Sequence, residues 1–105
     1  AKPGDPNTVI STAPEFVRIS PTQNTVITND AIYTITTKVL NVTNAGGITI
    51  KINGVVFTGM NFNNRTHILT IPAPLNPGVN TITIDAVNAG GTKSDTYTIT
   101  KQIGR

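Results

Sequence analysis

Apolar residues in this chain recur at every second position over short runs, and nowhere at the three- and four-residue spacing of an amphipathic helix. Ile48, Ile50 and Ile52 alternate with Thr49 and Lys51. Tyr33, Ile35, Thr37 and Val39 share one parity against Thr34, Thr36 and Lys38. Ile82, Ile84 and Ala86 line one side of a third run, and Tyr97 and Ile99 one side of the last. Successive side chains of a strand point to opposite faces, so each run reads as a β-strand with one buried face. The same pattern predicts a strand over 15–20, stopped by Pro21, a strand over 55–58, and a hairpin from 60–62 through 63–66 to 67–71. Past Val39 the parity slips, because Leu40 and Val42 are apolar on the other side, which predicts a bulge or an edge twist. Residues 72–78 hold three prolines and a glycine and read as a rigid crossover instead of a strand.

Turn residues punctuate these runs. Asn-Ala-Gly-Gly occurs at Asn44–Gly47 and again at Asn88–Gly91, each copy between two strand-like runs. Asn53-Gly54 is a strong two-residue hairpin signal. Asn and Gly accept positive φ cheaply, so Gly54 and at least one glycine of each tetrapeptide are expected there. Residues 1–14 contain Pro3, Gly4, Pro6 and Pro14, with Val9 and Ile10 their only large apolar residues, and read as an extended arm or linker before a domain over 15–105. Seven or eight short strands with turns near every tenth residue predict an all-β, Greek-key sandwich. Its expected core comprises Ile35, Val39, Ile50, Ile52, Leu69, Ile82, Ile84 and Ile99.

Composition narrows the function classes. Nineteen threonines and twelve asparagines, against 12% charged residues, make the surface polar and nearly neutral. The net charge of +3 comes from dispersed basic residues, not the clusters that track phosphates, which argues against nucleic acid. With no cysteine there is no disulfide and no thiolate chemistry. No apolar run approaches the ~20 residues that span a bilayer as a helix. The first residue is not Met, as in a processed mature chain or a piece excised from a longer one.

Candidate chemistry is sparse. His67 is the single histidine, and no Gly-x-Ser-x-Gly elbow sets Ser11, Ser20 or Ser94 beside it for hydrolysis. Its run predicts a partly buried or edge histidine. The five acids are scattered and give no calcium loop, although Asp30 and Asp95 could meet across loops. Without Trp, and with both tyrosines and the three phenylalanines expected in the core, a glycan platform is poorly supplied. No catalytic residue, metal or cofactor is expected. Asn41-Val-Thr and Asn64-Arg-Thr are glycosylation sequons, the second in a predicted turn.

The segments Lys38-Val-Leu-Asn-Val-Thr-Asn, Ile48-Thr-Ile-Lys-Ile-Asn-Gly, Leu75-Asn-Pro-Gly-Val-Asn-Thr-Ile-Thr-Ile and Ala86-Val-Asn-Ala-Gly-Gly-Thr-Lys-Ser-Asp resemble bacterial immunoglobulin-like surface repeats. The likeness covers about residues 15–101 and rests on turn glycines and core alternation, which specify a scaffold more than an activity. It implies an immunoglobulin-like β-sandwich, with both Asn-Ala-Gly-Gly loops at one pole and the chain ends at opposite poles. Asn44, Ala45, Gly46 and Gly47, with Asn88, Ala89, Gly90 and Gly91, then become candidate interaction loops. The implied function is a non-enzymatic structural or adhesive module of an extracellular, cell-surface prokaryotic protein, with neighbouring domains or identical subunits as partners. Two alternatives stand beside it. One is a filament subunit that adds the arm around Val9 and Ile10 to a neighbour's sheet edge. The other is a small glycan-binding module.

Overall fold

Isoleucine, valine and threonine dominate the runs between turn residues, and their branched Cβ atoms suit an extended, half-buried backbone. A computed structural model describes residues 12–102, among which nine strands form. They are β1 (Glu15–Ser20), β2 (Thr25–Thr28), β3 (Ile32–Leu40), β4 (Ile48–Ile52), β5 (Val55–Phe57), β6 (Asn61–Asn63), β7 (Ile68–Pro74), β8 (Gly78–Asn88) and β9 (Gly91–Lys101). One sheet has the order β1-β3-β7-β6 and the other β2-β9-β8-β4-β5. The β2–β9 pair is parallel, and the remaining pairs are antiparallel.

The inner faces meet as the alternation requires. Ile35, Val39, Leu69 and Ile71 of the first sheet pack against Ile50, Ile82, Ile84 and Ile99 of the second, and Ile52 lies beside them, all buried. Each fully buried aliphatic side chain contributes about 1.5–3 kcal/mol relative to exposure. Every residue expected in the core is there. β8 and β9, eleven residues each, run from one pole to the other. At ~3.3 Å per residue that is about 36 Å. The upper pole holds Glu15, Leu40, Ile48 and the β8–β9 turn; the lower pole holds Ile32, the β4–β5 turn, Gly78 and Lys101.

Three features depart from the sequence reading. β2 is an additional strand, and its four residues alternate exposed and half-buried. β7 continues through Pro72 and Pro74, so the first half of the expected crossover is strand. The β6 partner ends at Thr70, and among the described residues no strand follows it on that open side of β7. Val39 N donates to His67 O at 2.8 Å and Leu75 N to Ala31 O at 2.9 Å, so odd residues of β7 address β3. Pro72 and Pro74 therefore face the open side, where a missing N–H costs nothing. Finally, no bulge follows Val39: β3 stops at Leu40 and Asn41 turns the chain with φ 69°, which lets Val42 drop into the core. The register irregularity lies instead in β1, between Arg18 and Ser20.

Candidate functional site

The upper pole brings the two Asn-Ala-Gly-Gly segments together, but not in one shape. Asn44–Gly47 leads into a single 3-10 turn over Ala45–Gly47, with Gly47 N donating to Asn44 O at 3.2 Å. Neither Gly46 nor Gly47 has positive φ, contrary to the expectation for this copy. Gly47 serves proximity instead. A Cβ there would lie 2.9 Å from the Val87 carbonyl oxygen and 3.2 Å from Val42 Cγ1. Asn88–Gly91 closes a two-residue turn with Gly91 at φ 137°, as expected. Gly54, in the Asn53-Gly54 hairpin, is also at positive φ.

Asparagine side chains tie this pole together. Asn88 Nδ2 donates to Thr12 O at 2.8 Å and to Asn41 O at 2.7 Å, while its Oδ1 accepts from Gly90 N at 2.6 Å. Asn41 Nδ2 donates to Ala13 O at 3.0 Å. Residues 12–14 are thereby strapped to the pole, and Pro14 is fully buried. Of the two sequons, Asn41 is half-buried with its amide engaged, whereas Asn64 is exposed in the β6–β7 turn. Val9 and Ile10 lie outside the described residues.

Between β1 and the upper half of β9 lies a cleft of about 620 Å³, bordered by Pro14, Phe16, Arg18, Lys93, Ser94 and Asp95. Its fixed feature is an ion pair between the sheets. Arg18 Nη2 lies 2.5 Å from Asp95 Oδ1 and Arg18 Nε 3.1 Å from Asp95 Oδ2. The guanidinium also stacks 5.3 Å from the centre of the Tyr97 ring. The bidentate bond to Asp95 raises the Arg18 pKa further above its ordinary value. Burial pushes the Tyr97 hydroxyl above its usual range, because the phenolate would lose its hydration. Ser94 Oγ donates to Asp85, its cross-strand neighbour on β8.

The other candidates are dispersed. His67 sits at φ 63° in the β6–β7 turn, half-buried, its ring edge-on to Phe62 at 6.3 Å. It belongs to the β6–β7 edge of the β1-β3-β7-β6 sheet, whereas Ser20 ends β1 at the opposite edge of that sheet and Ser94 lies on β9 in the other sheet. Asp30 follows β2 at the lower pole, while Asp95 lies six residues above Lys101 on β9, roughly 20 Å away along the strand. Among the described residues no group of three or more acids, histidines or cysteines could hold a metal. All five aromatic residues pack in or against the core, Tyr97 fully buried and the other four partly, with Phe16 also lining the cleft.

Two polar constructions escaped the sequence pattern. Arg18 and Asp95 are separated by 77 positions, and only the pairing of both strands into a sandwich makes them neighbours. Asn80 is fully buried near the lower pole, its Nδ2 facing the carbonyls of Asn76 (2.8 Å), Gly78 (3.0 Å) and Ile99 (3.2 Å). Its Oδ1 accepts from Asn53 Nδ2 and Asn76 N. A buried amide with every group satisfied fixes the loop around it. Its one signal in the sequence is that Asn80 occupies the apolar parity of Ile82 and Ile84.

With this geometry in view, comparison with solved structures gives an immunoglobulin fold. The chain is similar to titin Z1Z2 in a chimeric tandem (TM-score 0.60, 18% identity, 90% of this chain and 52% of that one). It is similar to a chain of the titin M10–obscurin-like 1 immunoglobulin complex (TM-score 0.58, 14% identity, 86% and 94%). It also matches a protein described as a beta-galactosidase of Bacteroides fragilis (TM-score 0.57, 13% identity, 70% of this chain), of which it spans only 10%. No family model matches the chain, and no curated protein does. Identities this low establish architecture alone. The strand orders agree with it: β1, β3, β7 and β6 take the places of strands A, B, E and D, and β9, β8, β4 and β5 those of G, F, C and C′. The chain is an immunoglobulin-like β-sandwich whose first strand is divided between the sheets.

Proposed function

We propose that this domain is a non-enzymatic structural and adhesive module of an extracellular prokaryotic surface protein, joined end to end with other domains. The path of the chain carries this reading. Residue 12 is held beside Asn88 at the upper pole, and β9 ends at the lower one. Tension between the ends then runs along the strands, and the parallel β2–β9 ladder is loaded in shear, so its four residue pairs resist together. The surface-repeat resemblance, carried by motifs such as Ile48–Gly54 and Leu75–Ile84, supports the extracellular setting. Protein neighbours are the partners this fold favours; titin M10 is described in a complex with an obscurin-like 1 immunoglobulin domain. Residues 1–11 serve as the linker, and Asn64 is the glycan acceptor in a glycosylating host. The packing of all aromatic side chains on the core speaks against a glycan platform.

Single-molecule pulling on linked copies tests the reading. One abrupt unfolding event per copy is expected, at a force lowered by Val26→Pro, which takes an N–H out of β2. Smooth extension without discrete events, or no effect of Val26→Pro, would overturn it.

A further inference from the structure

Among the described residues β9 has two neighbours along its lower half and one along its upper half. β8 pairs with it from Gly91 to Lys101, but β2 covers only Thr98–Lys101 on the other side. Thr98 N donates to Asn24 O at 2.7 Å and Gln102 N to Thr28 O at 2.8 Å. Even-numbered residues of β9 therefore direct their backbone groups away from β8, and strand alternation extends this to Thr92, Ser94 and Thr96. Among the described residues no strand meets those three N–H and three C=O groups. Such a row is a template for one more strand. The cleft floored by Phe16 and the Arg18–Asp95 pair lies directly beside it.

We propose that this edge accepts residues Asn7–Ser11 from a second copy of the chain. The added strand pairs with Thr92, Ser94 and Thr96 and lays one of Val9 and Ile10, which alternate across a strand, over Phe16. Asn7–Ala13 is proline-free between Pro6 and Pro14. Its first five residues span about 17 Å, within the roughly 23 Å of Gly91–Tyr97. Pairing of the edge with the chain's own arm is the competing arrangement, and it would give a monomer at every concentration. Thr12 O and Ala13 O are tethered at the upper pole by Asn88 and Asn41. The inference is independent of the end-to-end reading, since a lone copy has the same edge.

Sedimentation velocity of the full chain from about 1 μM to about 1 mM tests it. Concentration-dependent association is expected, and is lost on deleting residues 1–11 or in Val9→Asp/Ile10→Asp. Ser94→Pro removes an outward N–H while leaving the β8 ladder intact; Thr96→Pro replaces it if circular dichroism shows that the first variant does not fold. The edge variant and the arm-deleted chain should each be monomeric alone and associate 1:1 when mixed, since one retains the arm and the other the edge. A full chain that stays monomeric throughout, a deletion that associates as the full chain does, or a mixture that stays monomeric would each overturn the proposal.

Discussion

Asn44–Gly47 and Asn88–Gly91 contain the same four residues in the same order, and both lie at the upper pole. The first carries the chain from β3 in one sheet to β4 in the other and coils into a 3-10 turn. The second joins β8 to β9 within one sheet and closes a two-residue turn. The destination of the chain, not the tetrapeptide, selects between conformations that Asn and Gly both tolerate. Equivalent residues consequently do different work. Gly47 is there because Val87 O leaves no room for a Cβ, whereas Gly91 is there for its φ of 137° and has Ala13 Cβ no nearer than 3.8 Å. Asn88 makes three side-chain hydrogen bonds, while Asn44 caps nothing with its side chain.

Urea unfolding of paired substitutions tests this division, in order of expected size. Gly47→Ala should be the most damaging, about 2–3 kcal/mol, because backbone must yield to the new methyl group. A harmless Gly47→Ala would mean that the close approach of the 3-10 turn and β8 relaxes freely and the contrast with Gly91 is wrong. Asn88→Ala should cost about 2 kcal/mol by leaving polar groups of three segments unpaired, against less than about 0.5 for Asn44→Ala. Equal losses at the two asparagines would erase the comparison. Gly91→Ala should cost about 1 kcal/mol, the strain of a side chain at positive φ. Gly46→Ala should be nearly silent, within about 0.5 kcal/mol. Its Cβ would meet only the movable Asn44 Oδ1, at 2.9 Å. A larger shift in the denaturation midpoint for Gly46 than for Gly91 would invert the assignment.

Strand alternation was legible because one buried face imposes a period of two. Ile48–Ile52 pairs with Ile82–Ala86 residue for residue, and both keep their isoleucines inside. β2 was illegible for the converse reason. With Ile27 64% exposed and only Val26 packed against the core, its four residues bury too little to leave a pattern. The candidate loops meet at one pole, where Gly47 approaches Val87 O, yet the side-chain bonds there run from Asn88 and Asn41 to the backbone of Thr12, Ala13 and Asn41, which no local motif marks.

The all-β class, the core residues and the hairpin at Asn53-Gly54 could be read from the amino-acid order, since each follows from local alternation or turn chemistry. Only the three-dimensional pairing brings Arg18 to Asp95, buries Asn80 with all its groups bonded, continues a strand through Pro72 and Pro74, and, among the described residues, ends β2 at the lower half of β9. These depend on which strands become neighbours and where each pairing stops. Such contacts join residues far apart in the chain, and no short-range pattern encodes them.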